Sequence, residues 1–347
     1  MYEALGLSIP PQAASLWLGL ALGLAFGALA EVSRFCLRRA VAGEAGERAP
    51  AAAQWMVALA VAIAGTGAAQ AAGLIDLSEH RFLRADVPVV SILVGGLMFG
   101  AGMVLARGCA ARLTVLAAGG NLRAVMVIGG LAIAAHATMK GILAPLRVAL
   151  EGVTLPLPAL SALPGLWVIL PLALVLFALR LRPSAGGLAS GAAIGLLVPL
   201  AWLGTGLLLA DEFDPIPVEA LSFTAPLADT LFWMIAATAV SPAFGTGLVL
   251  GTLIGAGVAA ALGGRTRLQG FDSPRQTLRY GLGAVLMGVG GVMAGGCTLG
   301  AGLSGVSTLS TAAALALAAI IAGAWATTRA LSASSAGRAA PEAIPAE

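Results

Sequence analysis

The strongest indication of the fold comes from two similar stretches of the sequence. They are GGLMFGAGMVLARGC at Gly95–Cys109 and GAVLMGVGGVMAGGC at Gly283–Cys297. They lie at a constant offset of 188 residues, and 7 of their 15 aligned positions are identical. Glycine and alanine are common throughout the chain, so chance explains some of these matches. The matched cysteines are harder to dismiss, because the whole chain has only 3. The two stretches therefore indicate an internal duplication.

Apolar runs on both sides of these stretches predict an all-α, polytopic integral membrane protein with about nine transmembrane helices. Short apolar pieces at 110–118 and 229–239 predict additional broken or re-entrant helices. The predicted spans are residues 13–31, 52–73, 89–106, 124–139, 165–180, 187–210, 241–262, 280–294 and 309–328.

The duplication predicts two repeats of opposite orientation, at about residues 13–123 and 201–310. Five predicted spans separate their starting points, and an odd number turns the second repeat upside down in the membrane. The same offset places Phe35-Cys36 on Phe223-Thr224, which extends the match weakly. Inverted repeats are a common plan of secondary transporters, whose sites lie at discontinuous helices near the bilayer midplane. The two Gly-Cys stretches are the predicted discontinuities.

The composition supports a membrane protein and disfavours several soluble classes. The chain is 59% hydrophobic and 10% charged, with a mean hydropathy of +0.97, whereas soluble domains have roughly 25% charged residues. Its basic residues form no run interleaved with aromatic residues, so we expect no nucleic-acid partner. No glycine-rich loop ends in Gly-Lys-Ser/Thr, which disfavours a P-loop ATPase. The expected surroundings are a lipid bilayer.

Arginine placement predicts the orientation. The segments 34–48, 180–186 and 263–279 and the C-terminal tail hold 12 of the 19 basic residues. All four fall on one side if the N-terminus is periplasmic, and the positive-inside rule makes that side cytoplasmic. The prediction is a single transmembrane domain at residues 1–328 in a bacterial inner membrane, followed by a disordered cytoplasmic tail at 329–347.

Three interpretations of the cysteines follow from the residues alone. Cysteine packs as a small apolar residue in many helices, but Cys109 and Cys297 share one position of the repeat, each directly after a glycine. A disulfide is disfavoured by the odd number and by the expected midplane position. Thiolates suit soft metals, but the sequence has no Cys-x-x-Cys, and neither histidine is near a cysteine. We therefore expect no metal and no other cofactor.

The cysteine motifs resemble those of the YeeE/YedE family of sulfur-compound transporters. The resemblance rests on Phe35-Cys36 after the first helix, on GAGMVLARGC ending at Cys109, and on GGCTLGAGLSG around Cys297. It covers nearly the whole chain in length, span number and duplication. It implies an hourglass-like helical fold and import of thiosulfate, or a related reduced sulfur anion, across the inner membrane. It also implies a pathway lined by Cys36, Cys109 and Cys297.

The chemistry of such a substrate suits these positions. Backbone N–H groups bind oxyanions without a formal charge, and the turns around Gly108, Gly296 and Thr298 are candidate donors. A neutral thiol is a weak donor that suits the soft terminal sulfur, and burial in apolar surroundings keeps a thiol neutral. Arg107 has two interpretations: an interfacial arginine that reaches the headgroups, or an electrostatic attractor for the anion.

Alternative functions stay open at this point. The solute could instead be sulfide, sulfite, a persulfide or a selenium species. The chain could also be a membrane-embedded sulfurtransferase, in which a cysteine takes up sulfur, although we expect a transporter and not an enzyme. A cytoplasmic sulfur-carrier protein would fit as a partner in either case. Glu31, three residues before Arg34, is expected to form a local ion pair.

Overall fold

The computed structural model describes residues 9–163, 165–211 and 214–336. Its α-helices are α1 Pro11–Ser33, α2 Leu37–Ala42, α3 Ala45–Ala71, α4 Val89–Leu105, α5 Ala110–Ala118, α6 Leu122–Lys140, α7 Ala144–Glu151, α8 Leu166–Arg180, α9 Ala185–Leu203, α10 Thr224–Ile235, α11 Phe244–Leu262, α12 Pro274–Met293 and α13 Thr311–Ala336. Two short strands, β1 Asp86–Val87 and β2 Leu155–Pro156, pair antiparallel. Two segments with π-helical hydrogen bonding, Gly204–Leu208 and Gly300–Gly305, follow α9 and precede α13.

The all-α, polytopic prediction is confirmed. Within the described residues, 7 helical segments are long and apolar enough to cross a membrane. All nine predicted spans coincide with helices, but two of these helices fall outside that set. Helix α8 is only 15 residues long, and α12 begins with the charged stretch that contains Arg275 and Arg279.

Helix pairing follows the internal repeat. The offset of 188 residues carries α3 onto α11, α4 onto α12 and α6 onto α13. The contacts obey the same exchange, because α4 packs on α13 as α12 packs on α6. Helices α1 and α9, which open the two halves, pack on α11 and on α3. The counterparts α4 and α12 run antiparallel, because Gly95 lies against Met293 and Gly102 against Gly283. The packing therefore has the symmetry of two inverted halves.

Counterpart packing continues into α6 and α13, past the predicted repeat ends at residues 123 and 310. The exact repeat bounds stay a prediction. At the C-terminus, α13 includes residues 329–336, which belong to the predicted disordered tail. The alanines of this segment have high helix propensity and continue the preceding turns. The rest of that predicted tail, 337–347, lies outside the described residues.

Helices α1 and α11, one from each half, pack backbone against backbone. Glycines recur every four residues on both facing surfaces, at Gly19, Gly23 and Gly27 of α1 and at Gly247, Gly251 and Gly255 of α11. A Cβ added at Gly23 would lie 2.4 Å from the carbonyl oxygen of Leu248. Small residues permit such approach in membranes, where apolar collapse does not drive helix association. The two helices run parallel, so both begin at one end of the bundle.

Candidate functional site

The two Gly-Cys stretches form breaks in the helices, at matching points of the two halves. Helix α4 ends at Leu105, and Arg107 adopts a left-handed conformation with φ of 58°. At the counterpart position after α12, Gly295 adopts the same conformation with φ of 76°. A left-handed residue just past the last turn is a common way to end a helix. Each break is followed at once by a cysteine.

All three cysteines lie in the described part of the chain, are buried and carry free thiols. Cys36 occupies the N-cap position of α2, and Cys109 occupies that of α5. The Cys36 and Cys109 thiols interact with each other, and the Cys109 thiol also interacts with the side chain of Thr298. The sulfur of Cys297 accepts a hydrogen bond from the Gly300 N–H at 3.4 Å. The breaks of the two halves therefore meet through Cys109 and Thr298.

An ion-pair cluster lies beside Cys36, at the end of the bundle where α1 ends. We call Glu31, Arg112 and Arg265 the Glu31 cluster. Glu31 pairs with Arg112 at 3.3 Å and with Arg265 at 3.1 Å. The expected local pair with Arg34 is therefore wrong, because the fold brings stronger partners from 81 and 234 residues away. Arg112 also donates to the Ala30 carbonyl, and its charge acts on Cys36.

Two neighbouring cavities lie at the opposite end, where α1 and α11 begin and α3 and α9 end. The wide cavity has a volume of about 930 Å³, and the small cavity about 640 Å³. Both share the lining residues Arg81, Phe82, Ser222 and Ala225. The wide cavity also reaches Gly295 and Gly296, and the small cavity reaches Gly300 and Ser304. Each cavity therefore borders backbone next to Cys297.

The wide cavity has a positive lining. Its basic residues are Arg81, Arg84, Lys140 and Arg147, against the acidic residues Asp86 and Glu151. Arg147 is bound by Glu151 at 2.6 Å, which leaves an excess of positive charge near Arg81 and Arg84. A net positive charge on the lining of a cavity attracts anions. The wide cavity therefore favours anions.

The small cavity contains a histidine and a carboxyl group whose pKa values are shifted. Burial lowers the pKa of His80 to about 4, and the charges of Arg81 and Arg84 act in the same direction. The His80 ring packs edge-on against Trp202, with ring centroids 5.1 Å apart. Burial raises the pKa of Glu219, while the charge of Arg81 opposes that rise. His80 is thus uncharged near neutral pH and adds no charge to the cavity.

The predicted site residues fall into different surroundings. Gly108 and Thr298 are buried at the breaks, and Gly296 lines the wide cavity. An added Cβ at Gly296 would lie 2.7 Å from the backbone nitrogen of Ala301, so only glycine fits there without rearrangement. Arg107 has an exposed side chain. The arginine whose charge acts on Cys36 is Arg112.

Sequence reasoning missed the cavity residues, including Arg81, Ser222 and His80. One signal was available: EVSRFC at 31–36 and EALSFT at 219–224 align at the offset of the repeat. That alignment makes Glu219 the counterpart of Glu31 and Thr224 the counterpart of Cys36. Arg81 and His80 have no such signal, because they come from the irregular segment between α3 and α4.

The chain is similar to proteins of sulfur transport. The family described as sulphur transport matches at residues 32–185 and 179–326. The thiosulfate transporter TsuA of Escherichia coli strain K12 is 28% identical over 305 residues, covering 78% of this chain and 81% of that protein. The thiosulfate transporter TsuA of Spirochaeta thermophila is 28% identical over 333 residues, covering 89% of this chain and 97% of that protein.

These matches cover far more than half of the chain and include all three cysteines. The family resemblance seen in the cysteine motifs is thereby confirmed, and it agrees with the membrane helices and paired halves described above. The chain belongs to the sulphur transport family.

Proposed function

We propose that this protein imports thiosulfate, or a closely related reduced sulfur anion, intact through a central pathway lined by thiols. The observation that carries the proposal is the order in which the wide cavity, the helix breaks and the Glu31 cluster follow one another. The positive wide cavity borders the backbone before Cys297, and the two breaks meet through Cys109 and Thr298. Cys36 lies beyond them, next to the Glu31 cluster. The proposed order of passage is Cys297, then Cys109, then Cys36.

The charge distribution supports an anion as the solute. Arg81 and Arg84 line the cavity end, whereas the segments 34–48, 180–186 and 263–279 carry the topogenic arginines at the other end. The positive-inside rule accounts for the second group and does not require the first. Attraction of an anion accounts for basic residues inside a cavity. Arg107 is a further candidate attractor in this proposal.

The thiols are proposed to act as weak, neutral donors. Thiosulfate carries an anionic oxygen-bearing end and a soft terminal sulfur, and a thiol S–H is a weak donor to either. A thiolate would repel the anion, and neutral thiols avoid that repulsion. Transport requires sites that bind well enough to admit the solute and weakly enough to release it. The Gly296 N–H and the Thr298 hydroxyl are the proposed oxyanion donors, whereas the Gly108 N–H already donates to the Met103 carbonyl at 3.0 Å.

The proposed location is a bacterial inner membrane. The N-terminus and both cavities would face the periplasm, and the Glu31 cluster and the C-terminus would face the cytoplasm. Arginine placement supports this orientation, because α1 and α11 end, and α9 begins, on the arginine-rich side. Import would then run from the cavities to the Glu31 cluster.

Uptake into proteoliposomes tests the proposal. Radiolabelled thiosulfate should accumulate in vesicles that contain the purified protein and not in empty vesicles. Unlabelled thiosulfate should compete strongly, and sulfate weakly, because sulfate lacks the soft terminal sulfur. Absence of uptake would contradict the proposal. Stronger competition by sulfide or sulfite than by thiosulfate would make that competitor the favoured substrate.

Mass spectrometry separates intact transport from sulfurtransferase chemistry. Attack by a cysteine thiolate on the terminal sulfur would release sulfite and leave a persulfide, which adds about 32 Da for one sulfur. Intact transport leaves the masses of Cys36, Cys109 and Cys297 unchanged after exposure to thiosulfate. A stoichiometric adduct would favour the transferase and would suit a cytoplasmic sulfur-carrier protein as acceptor.

A further inference from the structure

Thr224 occupies the position in the second half that Cys36 occupies in the first. It is the first residue of α10, just as Cys36 directly precedes α2, and the two are 188 residues apart. Each follows a phenylalanine in the aligned segments 31–36 and 219–224. The two pairs of equivalent positions, 36 with 224 and 109 with 297, thus hold three thiols and one hydroxyl.

The Thr224 hydroxyl is buried without a hydrogen bond inside the described part of the chain. The side chain is 2% exposed, and its Oγ1 has no hydrogen-bond partner among the residues that the structure describes. Two other threonines of comparable burial bond a backbone carbonyl: Thr230 donates to Pro226 and Thr252 to Leu248. An unsatisfied buried polar group is costly. A hydroxyl kept in this condition indicates a partner that comes and goes.

Thr224 borders a space that can hold such a partner. Thr224 lines the wide cavity together with Ser222, Gly291 and Gly295. The Thr224 hydroxyl lies close against Gly291 in the wall of this cavity, and a Cβ at Gly291 would be 2.7 Å from Thr224 Oγ1. Arg81 and Arg84 line the same cavity and supply positive charge.

We propose that Thr224 is a further binding residue, whose hydroxyl donates a hydrogen bond to an oxygen of the incoming sulfur oxyanion. This inference rests on the proposed function and deepens it. A hydroxyl is a stronger donor to oxygen than a thiol is. Thr224 therefore holds the oxygen-bearing end in the cavity and leaves the soft terminal sulfur directed to the thiols. It selects sulfur anions that carry oxygens over sulfide, which has none.

The test is uptake by variants in proteoliposomes. Thr224→Val keeps the shape and removes the hydroxyl, and we expect its KM for thiosulfate to rise about tenfold, typical of one lost hydrogen bond to a charged group. Thr224→Ser restores the donor and should return KM to within about twofold of the parent. Thr230→Val is the matched control, because Thr230 is equally buried on the same helix and bonds only a carbonyl.

Equilibrium binding provides a second readout. Thiosulfate should raise the unfolding temperature of the parent, of Thr224→Ser and of Thr230→Val, and less so that of Thr224→Val. If Thr224→Val does not fold, Thr224→Ala takes its place with the same expected loss. A parent-like KM in the Val or Ala variant, or an equal loss in Thr230→Val, overturns the role of Thr224. Failure of the parent itself to transport thiosulfate would instead refute the proposed function.

Discussion

The two ends of the duplicated frame differ in how their equivalent residues are engaged. At one end Cys36 interacts with Cys109, and Glu31 forms two ion pairs. At the other end Thr224 Oγ1 has no hydrogen-bond partner among the described residues, and the charges of Arg81 and Asp229 act on Glu219 from a longer range. Ion pairs cross the first end, which we call the closed end, whereas the second, open end contains both cavities described above. The two halves therefore share an architecture but differ in the partners of their equivalent residues.

The repeat therefore determines where equivalent residues lie in the two halves. Their local partners determine which end is open. The counterpart of Arg112 is Gly300, so the second half lacks the guanidinium that would pair with Glu219. In its place a cavity extends to Gly300. Three substitutions test this difference between the two ends.

The largest effect is expected from Cys297→Ser, at the break nearest the open end. Serine preserves size, but its hard hydroxyl is a poor substitute for a soft thiol. We expect the folded protein to lose at least about tenfold in uptake rate, equivalent to ~1.4 kcal/mol. The measurement is initial uptake of labelled thiosulfate, with an unfolding temperature close to the parent's as the check on folding. Uptake at the parent rate would make Cys297 a packing residue.

A smaller effect is expected from Glu31→Gln, which removes the carboxylate that holds Arg112 and Arg265. Loss of both pairs should open the closed end more often and raise the rate of Cys36 modification by an impermeant maleimide. We expect about a tenfold increase, which corresponds to ~1.4 kcal/mol in the opening equilibrium.

The matched control is Glu47→Gln, which breaks the more exposed pair with Arg39. Exposed ion pairs contribute little, about 0–1 kcal/mol, so labelling of Cys36 should stay at the parent rate. Equal labelling in all three proteins would show that the Glu31 cluster does not close this end.

The smallest effect is expected from a change at His80, a titratable residue of the open end. His80 has Leu268 as its counterpart, and burial lowers its pKa to about 4. The unfolded chain binds a proton below pH ~6.5, while the folded state does not until pH falls to about 4. Folding stability should therefore decrease as pH falls through this window.

The measurement is the unfolding temperature at pH 7 and at pH 5 in parent and His80→Gln. The decrease between these two pH values should be smaller in the variant, because glutamine does not titrate. Identical decreases would mean that His80 is protonated normally in the folded protein. Uptake near neutral pH should not depend on titration of His80, because the ring is already uncharged there.

The sequence predicted what depends on local pattern. Glycine before cysteine, repeated at one offset, located both helix breaks, and apolar runs located the nine helical segments. It could not predict partners that meet only in the folded chain. Glu31 is bound by residues 81 and 234 positions away, and nearness to Arg34 in sequence was misleading. Arg81 enters the cavity from an irregular segment, whose path depends on the helices around it.

The glycine contact between α1 and α11 has a kinematic consequence. Each backbone lies in the groove of the other, so sliding one helix along the other would drive Cβ atoms between the glycines into main-chain atoms. These helices belong to opposite halves, and their contact leaves few low-energy directions in which the halves can move as rigid bodies. The freedom to open and close is then concentrated in short elements such as α2, α5, α10 and the π-helical turn Gly300–Gly305. A frame of this kind favours small, fast displacements around a small solute over large rotations of whole halves.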